Sequence, residues 1–115
     1  MTTKPKEICE RFDAEFVPPA PSEKVGIALA SLDKLPLNAM RNPGGDGMSG
    51  WFIYGGEFST DADFFQPLCV AHLRNRCPDI VPYLALPSGW RVLLAPNYED
   101  VWFDRDLLEG VTKAR

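Results

Sequence analysis

Long apolar runs are missing from this chain. No stretch approaches the roughly 20 apolar residues that a membrane-spanning helix requires, and the opening "MTTKPKEICERFDAEF" has no apolar centre of the kind a secretory leader carries. Both absences predict a cytoplasmic protein with no membrane partner. Cysteines are few and odd in number: Cys9, Cys69 and Cys77 form no disulfide framework, so free thiols in a reducing compartment are expected. Basic residues are also scarce. Twelve Lys and Arg against sixteen Asp and Glu leave a formal charge of −4, which argues against nucleic acid, because affinity for phosphate backbones comes mostly from clustered cations. The glycine loop "NPGGDGMSG" has no Gly-Lys-Ser/Thr ending and no helix after it, so it does not read as a phosphate cradle.

Proline, by contrast, is abundant. Eleven prolines in 115 residues predict short elements joined by fixed turns, and the length fits one domain. Residues 5–14 read as an amphipathic helix with Pro5 in its first turn and Ile8, Cys9 and Phe12 on one stripe. "VPPAPSE" follows as a stiff connector, so residues 1–21 form an N-terminal helix and Pro-rich connector. "VGIALASL", 25–32, alternates large and small residues as a central strand would if its small face lay under a helix. Residues 63 to about 77 read as a helix opened by an Asp63/Gln66 capping box, with Phe65, Leu68, Cys69, His72 and Leu73 on its inward stripe.

The last third predicts a hairpin, "WRVLLA" and "DVWFD" around a four-residue loop "PNYE". Pairing would then set Ala95 opposite Asp100 and Arg91 opposite Asp104, with Val92, Leu94, Val101 and Phe103 facing the core. Arg91, Leu93, Asp100, Trp102 and Asp104 would share the other face. Trp102 is therefore flanked at i−2 and i+2 by acids. That is the anatomy of a binding anchor inside a charged rim, or of a core tryptophan if a helix covers the face. The whole reads as α+β: a single domain, 1–115, with an antiparallel sheet of about four strands, a C-terminal hairpin and at least two helices packed against it.

Candidate chemistry is thin. Cys69, His72 and Cys77 suggest a metal, but Cys69 and Cys77 would stand about 12 Å apart along a continuous helix, so no metal site and no cofactor are expected. Cys69 with His72 as a nucleophile and base pair lacks an orienting third group and lies on an apolar stripe. Asp100 and Asp104, about 13 Å apart at strand rise, are too far apart for a glycosidase pair.

The segments "SGWFIYGGE" and "PYLALPSGWRVLLAPNYEDVWFD" bear a different likeness. Arg41 precedes Ser49, Gly50 and Trp51 before an aromatic strand; Gly55, Gly56 and Glu57 follow it; a proline and Tyr-Leu step runs from Pro78 to Leu84; and Gly89, Trp90 and Arg91 close the pattern. In these features residues 25–106 resemble the bacterial immunity protein thirty-three domain family. The resemblance implies a small α+β protein, encoded beside a secreted polymorphic toxin, that neutralises that toxin in the producing cell without catalysis. The partner would be a cognate protein toxin, basic if the acidic surface meets it. The candidate contact residues are Trp102, Asp100, Asp104, Glu99, Glu57, Asp61 and Asp63, and the same tryptophan face could serve weak self-association. The alternative is a small-molecule-binding or enzymatic domain using Cys69 and His72 beneath the glycine loop.

Overall fold

The computed structural model describes residues 4–109. Helix α1 (Pro5–Arg11) starts where Pro5 fits the first turn and the Glu7 carboxylate accepts the Lys4 N–H at 3.0 Å. Six strands follow: β1 (Lys24–Ile27), β2 (Leu37–Arg41), β3 (Met48–Gly55), β4 (Gln66–Cys69), β5 (Trp90–Ala95) and β6 (Tyr98–Phe103). A second short helix, α2 (Leu73–Arg76), and 3-10 turns at Leu29–Ser31, Val70–His72, Pro78–Tyr83 and Arg105–Glu109 complete the chain.

The sheet is mixed and six-stranded, in the order β4-β1-β3-β2-β5-β6. Only β1 and β3 run parallel; the other neighbours are antiparallel. The expected four-stranded antiparallel sheet is therefore corrected to six strands with one parallel pair. Alternation along the strands sorts the side chains. Val25, Ile27, Leu37, Ala39, Trp51, Ile53 and Val92 face a large core closed by Ile8 and Cys9 of α1 and by Ile80, Tyr83 and Leu86. On the opposite face, Ala28, Met40, Tyr54 and Leu107 form a smaller core against Phe52, Phe58, Phe64 and Phe65. With both faces covered, β3 reads as a nearly unbroken apolar run.

Three expectations are overturned. The helix expected over 63–77 is present only at its end: edge strand β4 takes up Gln66–Cys69, the Val70–His72 turn follows, and α2 spans only Leu73–Arg76. Val25 pairs with Leu68 and Gly26 with Pro67, and the Gln66 side chain accepts the Leu29 N–H at 3.1 Å rather than capping a helix. Proline suits an edge strand, where its missing N–H breaks no ladder, so pairing with β1 prevails over the helical pattern. His72 accordingly lies exposed instead of on an inward stripe, while Leu73 is fully buried.

Strand β1 ends at Ile27 and lies one place in from the edge, not at the centre. Its small residue Gly26 lies under aromatic rings rather than a helix: a Cβ there would stand 2.6 Å from Phe52. Finally, the hairpin loop has two residues, Pro96 and Asn97, with Asn97 at φ 59, which suits Pro and Asn at the middle of a tight turn. The register becomes Ala95 opposite Tyr98, Leu93 opposite Asp100 and Arg91 opposite Trp102. Because this differs from the expected pairing by two residues, every side chain keeps its face.

Candidate partner-binding surface

The outer hairpin face is built around Arg91. Its guanidinium lies 5.8 Å from the Trp102 ring centroid, and its Nη1 donates to Asp104 Oδ2 at 3.0 Å. Both charged side chains are withdrawn from water, with 4% and 11% of their surface exposed. Asp104 Oδ1 also accepts the Asp106 N–H, opening the 3-10 turn that carries the buried Leu107. Asp104 thus clamps Arg91 and starts the next turn. Trp102 is half-buried against that cation, and Asp100, two residues back on the same face, is exposed.

Glu99 points to the other side of the hairpin. Its carboxylate accepts Arg11 Nη2 at 2.6 Å and the Tyr83 hydroxyl, tying β6 to α1 and to the Pro78–Tyr83 turn. Burial, then the hydrogen bond to Glu99, pushes the Tyr83 hydroxyl up to about 12. Beside this junction opens a groove of about 720 Å³ lined by Leu35, Leu37, Asp79, Tyr83, Tyr98 and Glu99 among others.

Glu57 and Asp61 line a second groove, of about 810 Å³, with Lys34, Leu35, Phe58 and Phe64. Asp63 stands exposed on the same loop, and its carbonyl accepts from Gln66. Leu35 lines both grooves and is 60% exposed. The candidate acids therefore fall into three groups: Asp100 and Asp104 lie on the outer hairpin face, Glu57 and Asp61 share one groove with Asp63 on the same loop, and Glu99 lies in the other groove, with Leu35 lining both grooves. Leu35, Asp79 and Tyr98 went unnoticed in the sequence. The legible signal was a leucine between a lysine and a proline, outside any periodic run.

The cysteine chemistry does not assemble. Cys69 ends an edge strand and His72 is exposed in the following turn. Among the described residues, neither side chain makes a hydrogen bond or ion pair, and no group of three His, Cys, Asp or Glu could hold a metal. Burial pushes the Cys77 thiol up to about 11 and that of Cys9 upward as well, which keeps both in the unreactive thiol form.

Several residues that carried the sequence resemblance lie instead in the interior, on the large-core side of the sheet. Arg41 is buried on the large-core face. Its Nη1 donates to the carbonyls of Val17 (2.6 Å), Leu84 (3.2 Å) and Leu86 (2.8 Å), and its Nε to that of Ser49 (3.0 Å). Trp51 Nε1 donates to the Leu84 carbonyl at 2.9 Å. Gly50 has φ +96, and any Cβ there would run into the Asn42 carbonyl oxygen, so only glycine lets β3 start beside this network.

A family model described as the Imm33-like domain matches residues 4–104, a span that takes in α1 and the Pro-rich connector as well as the sheet. No curated protein and no solved structure matches the chain.

Proposed function

Because the chain belongs to the Imm33-like domain family, we propose that it is an immunity protein that binds and neutralises a cognate bacterial toxin without performing catalysis. The observation that carries this reading is the outer face of the hairpin, where exposed Asp100 adjoins a tryptophan whose ring is braced by a buried arginine. A rigid amphipathic anchor beside an acid suits a protein contact, because little side-chain freedom remains to be lost on binding. Glu57, Asp61 and Asp63 offer a second acidic area and Glu99, on the other side of the hairpin, is held by Arg11, while Asp104 contributes by holding Arg91 in place. With a formal charge of −4, the chain is suited to a basic toxin, whose encounter the acids would steer. Neutralisation in the producing cell places the protein in the cytoplasm.

Affinity capture from the source bacterium, with Trp102→Ala as control, tests this reading. A basic secreted effector should be retained by the wild type, with affinity lowered by about 2 kcal/mol or more in the variant, and the captured effector should stop inhibiting growth when the wild-type chain is co-expressed. Loss of folding in Trp102→Ala, seen by circular dichroism, would make Trp102 a core residue instead. Retention of nothing specific at low salt would count against the immunity reading.

A further inference from the structure

The two edges of the sheet differ. Edge strand β4 has four residues and contains Pro67, which can offer no N–H to an incoming strand. Edge strand β6 has six residues and no proline. Asp104 N–H donates to the Gly89 carbonyl at 2.6 Å, in register with the hairpin. Antiparallel alternation then turns the amides of Asp100 and Trp102 inward to β5, and those of Glu99, Val101 and Phe103 outward. Among the described residues these outward groups have no backbone partner outside the hairpin. Tyr98 and Phe103, at the two ends of the strand, are 55% and 49% exposed.

We propose that the outward edge of β6 is a docking strand that takes up an extended, basic segment of a partner protein by strand addition. Backbone hydrogen bonds from Glu99, Val101 and Phe103 would supply register. Charge decides the occupant. Strand β6 carries Glu99 and Asp100 and no basic residue; Glu99 is held by Arg11, but two copies paired edge to edge would still bring two exposed Asp100 carboxylates into one ribbon without a cation from either strand. A segment alternating Lys or Arg with apolar residues instead meets the exposed Asp100 and the aromatic ends. The proposal rests on the immunity reading for the identity of the partner, a toxin; the edge itself does not depend on it.

The test uses a hexapeptide alternating lysine and valine, with a glutamate and valine hexapeptide as control. Amide hydrogen exchange of the full chain is followed residue by residue. At saturating lysine peptide, exchange at Glu99, Val101 and Phe103 should slow at least ~10-fold, with Asp100 and Trp102 changing less and the glutamate peptide having no effect. A second form, with Val101 N-methylated, removes one outward donor while keeping every side chain. Native Cys77 allows it to be made by joining recombinant residues 1–76 to a synthetic remainder. This form should keep its fold and lose the protection.

Unchanged exchange at the three outward amides, or equal peptide affinity in the N-methylated chain, would overturn the proposal. So would protection that appears without peptide and grows with protein concentration, since the occupant would then be a second copy. Toxin protection lost in Trp102→Ala alongside an inert β6 edge would leave the immunity reading standing and remove only the strand addition.

Discussion

Arg41 and Trp51, from neighbouring strands β2 and β3, donate to the same acceptor, the carbonyl of Leu84. That oxygen fixes the segment after the Pro78–Tyr83 turn against the sheet. The guanidinium, whose pKa burial draws below the ordinary arginine value while the charge of Glu23 partly opposes the shift, donates to backbone carbonyls. Its planar array of donors reaches four of them, a geometry that a lysine ammonium cannot reproduce.

Arg41→Lys is therefore expected to lower stability by about 3 kcal/mol, through carbonyls left without donors in a buried site. Urea unfolding followed by tryptophan fluorescence checks it. An unchanged midpoint would show that the network is dispensable.

Asp104→Asn removes the carboxylate that Arg91 Nη1 meets in a buried site. Removing one partner of such a pair typically costs about 3–5 kcal/mol, and asparagine does not rescue it fully: its single acceptor oxygen can serve either Arg91 or the Asp106 N–H, while its NH2 faces the other donor. Thermal melting of the variant beside Asp100→Asn separates the two acids: only the first should shift the transition.

Tyr54 is fully buried among Phe58, Phe64 and Phe65, and its hydroxyl has no hydrogen-bond partner among the described residues. A buried hydroxyl without a partner is destabilising. Tyr54→Phe should raise stability by about 1 kcal/mol, read as a higher melting temperature; a lower one would reveal a partner for the oxygen.

Alkaline pH should weaken the fold in a defined window. Burial raises Cys77 from 9.0 to about 11 and Tyr83 from 10.0 to about 12. In the folded chain both stay neutral where the unfolded chain has already ionised. Their contribution is fully present below pH 9 and is lost as pH rises toward 12. Urea midpoints across this range should fall, and Tyr83→Phe should flatten the portion above pH 10.

How much of this could be read from residues alone depends on the distance over which each feature is decided. The faces of the hairpin were legible because strand alternation is local, and a register error of two residues does not disturb it. The loop itself was misjudged: with Asn97 able to take positive φ, Tyr98 and Glu99 belong to the strand. Strand β4 was illegible because Phe65, Leu68 and Leu73 match a helical stripe, while the pairing of Val25 with Leu68 across more than forty positions decides otherwise. Glu99 was recognisable as a candidate surface acid, but its contacts with Arg11 and Tyr83 come from folding remote segments together. The signature residues Arg41, Ser49, Gly50 and Trp51 identified a family without disclosing that their work is architectural.

The Val17 carbonyl accepts from Arg41, and the Val17 N–H donates to the Ala85 carbonyl at 2.7 Å. The Pro-rich connector is thereby threaded through the interior polar network on both sides of one residue. It is less a tether for a dispensable helix than a keystone: a chain begun after residue 21 would keep all six strands and still hold a buried cation facing an empty place where an oxygen belongs.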